Sequence, residues 1–295
     1  MKILIFGGYG QIGQALYKEC TYQKKDYIIK RVSRKECPIE NHKKINTLIS
    51  EFLPDIVINL TAFHNLEKCE LDPKTAFDIN AYSVQNLATS CSYHNAYFLT
   101  ISTNYVFNGQ THKPYYEDDQ TGPLQIYALS KLLGEELLLL INNLKYTIIR
   151  TSGVFSNIEV GQKGLGFFDR IYKSITQNEK IFLPEEQITS ITHASHFAEV
   201  LIKIIDILLS GKNLPNILHL TNKDYGSWFD FGLHFEKVLG TKNFIKKVNN
   251  HGNDFRGFKR PIFSAIKSKY TKTLPFLILP TWQKAIEDYV NEKFT

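Results

Sequence analysis

Tyr127 and Lys131 stand four residues apart in the stretch YALSK. On a helix that spacing puts both side chains on one face. An ammonium beside a phenol favours the phenolate and lowers its pKa toward neutrality. The pair is then equipped for general acid–base work on an alcohol or ketone. Tyr289 and Lys293 repeat the spacing, so the spacing alone does not select between them, and an exposed helix pair is the plain alternative for either. Context separates the two. Upstream of Tyr127 runs ISTNYVF (Ile101–Phe107), where a strand ends in hydroxyl residues. A hydroxyl at the carboxyl end of a strand faces the ligand crevice of an open α/β sheet. Thr103 there can hydrogen-bond a substrate carbonyl oxygen and steady the charge that develops on it; simple capping of the strand end is the alternative.

A third feature precedes both. The apolar run Ile3–Phe6 leads into Gly7, Gly10 and Gly13, with Gln11 and Ile12 between the last two, and a helix is predicted over Gln14–Glu19. Strand, glycine turn and helix start in that order form a pyrophosphate cradle: the backbone turns tightly and the free N–H groups at the helix start meet the anion. An acidic residue about 20 positions on would favour the unphosphorylated adenosine ribose. Here the second strand (Tyr27–Val32) ends in KRVSRK, with no carboxylate before Glu36. Arg31, Ser33 and Arg34 can instead meet a 2′-phosphate, arginine doing so bidentately. The expected cofactor is NADPH, with NADH left open.

These groups need an alternating βα frame to position them, and the chain supplies one. Strands are expected at Ile56–Leu60, Tyr97–Ser102 and Tyr146–Arg150, and helices at Ile45–Phe52, Pro73–Tyr93 and Tyr127–Leu144. Repeated βα units predict an α/β fold, a Rossmann-type doubly wound parallel sheet. Residues 1–150 would form the dinucleotide-binding domain. Residues 151–295 would form mainly a smaller, interleaved C-terminal substrate lobe, with some elements returning to the sheet. There the helices are expected at Phe168–Gln177, Ser195–Leu209, Trp228–Leu239 and Trp282–Val290, and Gly161–Phe168 reads as a loop.

Bulk properties exclude several classes. The formal net charge of +6 over 295 residues is modest and spread, with small clusters at Lys242–Lys247 and Arg256–Arg260, so no nucleic-acid face is expected. No secretory leader is read at the start, and no apolar run approaches the ~20 residues of a membrane span. Cys20, Cys37, Cys69 and Cys91 form no C-x-x-C pair and are expected as reduced, buried thiols of a cytoplasmic protein. No metal site is expected. His193-x-x-His196 reads as surface histidine at a loop-to-helix junction.

Taken together, GGYGQIG, PDIVINLTAF (Pro54–Phe63), STNYVFNG (Ser102–Gly109), YALSKLLGE (Tyr127–Glu135), RTSGVF (Arg150–Phe155), SWFDF (Ser227–Phe231), KRPIFSAI (Lys259–Ile266) and LPTWQKAI (Leu279–Ile286) resemble the extended short-chain dehydrogenase/reductases. Within them the last three stretches resemble the dTDP-4-dehydrorhamnose reductase group. The resemblance implies reduction of the 4-keto group of a nucleotide-linked 6-deoxy sugar, for deoxysugar or polysaccharide synthesis, with a nucleotide-diphosphate sugar as substrate and a homodimer left open. By it, Tyr127 is the catalytic acid, Lys131 its partner and ribose ligand, and Thr103 the group polarising the keto oxygen. Asn59, Thr61, Ala62 and Phe63 line the adenosine and ribose. Asn104, Tyr105, Val106 and Gly153 fall at the sugar, and Arg260 at the nucleotide of the substrate. Three positions depart from the group's pattern: Asn104 replaces an Asp, Gly153 replaces a Trp near the sugar, and Ala128 replaces a Gly after the tyrosine. The Gly153 change leaves the sugar and its carrier open.

Two other readings remain. A related dehydratase or epimerase would carry Thr-Asp-Glu after the strand, where this chain has Thr103-Asn104-Tyr105 and no carboxylates for elimination. A non-catalytic regulatory subunit, similar to that of methionine adenosyltransferase, would use the same fold to bind a partner enzyme.

Overall fold

A computed structural model describes residues 1–158, 166–248 and 258–294. Most of the Gly161–Phe168 loop expectation, and Arg256 of the basic cluster, lie outside the described residues.

Four βα units and a fifth strand build the first half: β1 (Lys2–Phe6), α1 (Gln11–Tyr22), β2 (Ile28–Val32), α2 (His42–Phe52), β3 (Ile56–Asn59), α3 (Leu66–Leu71), α4 (Pro73–Phe77), α5 (Ser83–Tyr93), β4 (Tyr97–Thr103), α6 (Ile126–Leu138) and β5 (Tyr146–Thr151). The second half adds β6 (Val154–Phe155), α7 (Phe167–Thr176), β7 (Ile181–Pro184), β8 (Ile188–Thr189), β9 (Thr192–His193), α8 (Ala194–Leu209), β10 (Ile217–His219), β11 (Gly226–Ser227), α9 (Trp228–Val238), β12 (Ile245–Val248) and α10 (Trp282–Phe294). Six strands form one sheet in the order β2-β1-β3-β4-β5-β10, every pair parallel. Consecutive strand residues point to opposite faces. Ile3, Ile5, Ile58 and Leu99 therefore pack under α1 and α8, while Leu4, Phe6, Val57 and Phe98 pack with α2 and α5. Both faces being covered explains the uninterrupted apolar strands. The order reverses between β1 and β3, which opens a crevice at their carboxyl ends.

Elements of the second half return to the first. β10 joins the edge of the large sheet and α8 covers one of its faces. A separate aromatic core collects Phe155, Phe168, Phe231, Phe235, Trp282 and Tyr289 from β6, α7, α9 and α10. No helix among the described residues is long and apolar enough to cross a membrane.

Two expected helices differ, and one short helix is additional. The helix expected over Pro73–Tyr93 is interrupted by a π turn at Asp78–Tyr82. The side chain of buried Asn80 within that turn accepts from the Phe63 N–H (2.8 Å) and donates to the Phe63 carbonyl (2.9 Å) and to Ser130 Oγ (3.0 Å). These bonds use a side chain that a regular helix would aim elsewhere. The helix expected over Tyr127–Leu144 stops at Leu138, because Asn143 adopts a left-handed conformation (φ 59°) and the chain must turn into β5. The sequence reading passed over α3, whose Glu70 Oε1 accepts from the Ile126 N–H at the start of α6 (2.8 Å).

One buried ion pair fastens α6 to the sheet. Arg150 on β5 donates through Nη2 to Glu135 Oε2 (2.6 Å) and through Nε to both Glu135 oxygens (3.1 Å each). The side chains of Arg150 and Glu135 are 3% and 4% exposed. Ser102 Oγ on β4 donates to the same carboxylate. Removing one partner strands a charge without water. Arg150→Met is therefore expected to lower the urea unfolding free energy by about 3–5 kcal/mol; a loss typical of exposed pairs, below ~1 kcal/mol, would show that the pair does not act as a buried one.

Candidate active site

A cleft of about 260 Å³ opens where the β1–β3 crevice was expected. Gly7, Gly10, Gln11, Ile12 and Gly13 form one side of it. α1 starts at Gln11, earlier than its sequence pattern suggested, so Gly13 lies inside the helix. A Cβ on Gly13 would come within 2.6 Å of the Gly8 backbone, so only glycine lets the helix approach the turn this closely. The helix N-terminus has no side-chain cap and no acidic residue in its first turn. Its first N–H groups have no intrahelical acceptor, and together with the helix dipole they suit an anion. Leu60, Thr61, Ala62 and His64 continue the wall beyond β3.

Thr103, Tyr127 and Lys131 meet on the opposite side. Thr103 ends β4 and stands beside the Tyr127 phenol; its hydroxyl donates to Asn104 Oδ1 (3.4 Å). That hydroxyl also accepts from the Tyr105 N–H (3.2 Å). Tyr127 sits in the first turn of α6, where Ser130 Oγ donates to its carbonyl (2.8 Å) and is itself held by Asn80. Lys131, one turn on, donates from Nζ to the Ile101 carbonyl of β4 (2.7 Å).

The electrostatics differ from the sequence expectation. Burial pushes the Tyr127 phenol well above its ordinary value, and only the Thr103 hydroxyl works the other way. Burial likewise pulls Lys131 down to about 8, with Glu135 opposing. The sequence expectation rests on an ammonium beside the phenol; in the protein Lys131 is buried and Tyr127 half-buried at the cleft, and loss of water disfavours the charged form of each.

The remaining expected residues divide. Gly153 lines the cleft with φ 48°, and a Cβ there would meet Ile191 Cγ2 at 3.1 Å and the Ser190 carbonyl at 3.2 Å. Tyr105 lies near the Tyr127 phenol. Asn59 does not face the cleft: its amide donates to Thr100 Oγ1 (3.2 Å) and its oxygen accepts from the Thr61 N–H (3.1 Å), shaping the exit of β3. Phe63 is clamped by Asn80 and packs on the α2–α5 side of the sheet. Val106 is fully buried against Phe107, Tyr115 and Phe263, because its strand-end position turns it into a small core rather than the cleft. Asn104 is buried too; its Nδ2 donates to Thr189 Oγ1 (3.1 Å) and to the Ser264 carbonyl (2.8 Å). An Asp could make neither donation, which accounts for the amide here. Arg260 lies with Phe167, Arg170, Gln187 and Trp228 in a recess on the lobe. Arg34 pairs with Glu40, and Ser33 Oγ accepts from the Glu36 N–H.

Two histidines expected at the surface are inside. His193 Nε2 lies 3.6 Å from Glu292, and the His193 ring packs on Phe155. His196 bonds Asp288 (3.1 Å) and Asn222 (2.9 Å). Burial, aided by His196, pulls His193 down to about 3. The second Tyr–Lys pair is also not exposed: Tyr289 Oη donates to Asp169 Oδ1 (2.7 Å), and Lys293 Nζ pairs with the same oxygen. It ties α10 to α7. Ile101, Ser102, Thr151, Ser152 and Val154 line the cleft without having been singled out for it. The strand-end rule that found Thr103 would also have found Thr151 and Ser152. The four cysteines are free and buried.

The family described as RmlD substrate binding domain matches residues 1–294. This chain belongs to that family. The spore coat polysaccharide biosynthesis protein SpsK of Bacillus subtilis is 30% identical over 295 residues, covering 99% of this chain and 98% of that protein. The dTDP-4-dehydrorhamnose reductase of Aggregatibacter actinomycetemcomitans is 31% identical over 243 residues, 82% of this chain and 80% of its own. The crystal structure of dTDP-4-dehydrorhamnose reductase from Bacillus anthracis in complex with NADP superposes with a TM-score of 0.88 at 26% identity, covering 99% of this chain and 98% of that one. The extended short-chain dehydrogenase/reductase frame read from the motifs is thus the frame of the family.

Lys131 gives a pH signature. Between about pH 8 and the ordinary lysine value of 10.5, the unfolded chain holds a proton that the folded chain has released. Stability contributed by this site therefore rises with pH across that window. Lys131→Met is expected to be the more stable form near neutral pH, with a gap of up to about 3 kcal/mol that closes toward alkaline pH in paired urea titrations. A gap constant with pH would contradict the assignment.

Proposed function

We propose that the chain is an NADPH-dependent reductase of the 4-keto group of a nucleotide-linked 6-deoxy sugar, acting in cytoplasmic synthesis of a surface polysaccharide. The observation that carries this reading is that Thr103, Tyr127 and Lys131 line one cleft together with the uncapped start of α1. The cofactor of the Bacillus anthracis structure and the names of the relatives agree with it. Residues 1–150 then hold the dinucleotide, while 151–295 mainly hold the sugar nucleotide.

When bound, the reduced nicotinamide supplies the hydride that the keto carbon accepts. Every other part belongs to the chain. The N–H groups of Gln11, Ile12 and Gly13 receive the diphosphate. Thr103 donates its single hydroxyl hydrogen to the keto oxygen, beside the Tyr127 phenol. Tyr127, held protonated by its burial, passes the phenol proton to that oxygen as the alcohol forms. Lys131 binds the ribose next to the nicotinamide and, as an ammonium, stabilises the phenolate left behind. Gly153 lines the cleft where the resemblance places a large aromatic, so the sugar loses that contact, which suits a sugar other than 4-keto-rhamnose.

Purified protein is to be offered a panel of nucleotide 4-keto sugars with NADPH, following absorbance and product mass. A gain of two hydrogens supports the reading; loss of water would assign a dehydratase, and no turnover with capture of another enzyme would assign a regulatory subunit. Tyr127→Phe is expected to lower kcat by about 10²–10⁴-fold while NADPH still binds; retained turnover would remove Tyr127 from the mechanism.

A further inference from the structure

Of the three groups at the end of β2 that could meet a phosphate on the adenosine ribose, two are engaged within the protein. Arg34 is 3.1 Å from Glu40, and Ser33 Oγ accepts from the Glu36 N–H at 3.2 Å. Arg31 differs. Among the described residues no carboxylate or carbonyl takes its N–H groups. What it touches is aromatic. Its guanidinium carbon lies 4.5 Å from the centre of the Tyr9 ring and 3.8 Å from that of Tyr17. Tyr9 belongs to the glycine turn, and Tyr17 lies on α1 one turn beyond Gly13. Val32 points to the α2–α5 side of the sheet, so Arg31 points to the α1 side, where both rings stand. The stem of Arg31 lies against the turn: a Cβ on Gly8 would fall 2.8 Å from Arg31 Cβ. Tyr9 and Tyr17 are 48% and 41% exposed, large aromatic surface left in water that the core does not use.

A guanidinium stacked on aromatic rings has its faces occupied and its in-plane N–H donors free. Those donors are what a phosphate monoester accepts, two at a time. A flexible arginine would lose side-chain freedom on gripping the anion; a stacked one has lost it already. We propose that Tyr9 and Tyr17 form an aromatic clamp that presents the edge of Arg31 to the 2′-phosphate of the adenosine ribose. The two tyrosines are thereby positioning residues for choosing the phosphorylated dinucleotide. The clamp rests on the reading of the cleft as a dinucleotide site.

The test needs no sugar substrate. Calorimetry measures the affinities of the parent protein and its variants for 2′,5′-ADP and 5′-AMP, which differ by the phosphate in question. The parent is expected to prefer 2′,5′-ADP, and Arg31→Leu to lose that preference. Tyr17→Leu is expected to weaken 2′,5′-ADP binding by about five- to tenfold with 5′-AMP unchanged, and Tyr17→Phe, which keeps the ring, to match the parent. Equal weakening of both ligands by Tyr17→Leu, or no effect on either, would overturn the clamp. A parent that binds both ligands equally would also overturn it while leaving the dinucleotide site standing. A parent that binds neither would remove the dinucleotide site and the clamp together.

Discussion

The Glu135–Arg150 ion pair is the constraint on which the site depends. Tyr127, Lys131 and Glu135 follow one another at four-residue steps along α6, so the face that carries the phenol and the ammonium into the cleft carries the carboxylate into the sheet. Arg150 grips that carboxylate from β5 and Ser102 from β4, the residue before Thr103. Three elements are thereby locked at one height, and Thr103 is left beside Tyr127. The network runs on: Arg150 Nη1 donates to the Glu117 carbonyl, while the Glu117 carboxylate accepts from the His219 and Lys269 N–H groups. A buried network satisfied on this scale fixes one geometry, because each slipped alternative leaves a charge without a partner.

The same desolvation that makes the network rigid sets the state of the site. Tyr127 and Lys131 lie where charge is unwelcome, so the phenol keeps its proton and the lysine gives its proton up early. This is a resting state suited to donating a proton rather than removing one. On the proposed function, a diphosphate bound in the cleft would raise the lysine's affinity for its proton.

Much of this was legible in the chain, and the limits are physical. Glycine turn, strand-end hydroxyl and Tyr–Lys helix each follow from local spacing, and they converge because parallel βα units place all strand ends on one side. Local spacing does not report which face a residue near an element's end adopts. Val106 and Asn59 sit within a few residues of the cleft and turn away from it. Pairing across the fold was equally hidden: Glu135 and Arg150 stand in recognisable stretches, yet nothing between them in sequence announces their bond. The inward turn of His193 and His196 depends on α10, which is distant in the chain. Asn104 makes sense as an amide only once Thr189 and Ser264 are seen to need a donor.

The π turn at Asp78–Tyr82 has a consequence for how this lineage can change length. A wider turn accommodates a residue that a regular helix would not, so losing one residue there would close it to a regular helix and leave α5 facing the sheet as before. What would be lost is the hold of Asn80 on the loop after β3 and on the start of α6. A shortened helix would thus be felt at α6 and the cleft it borders, although residues 78–93 contribute no side chain to that cleft.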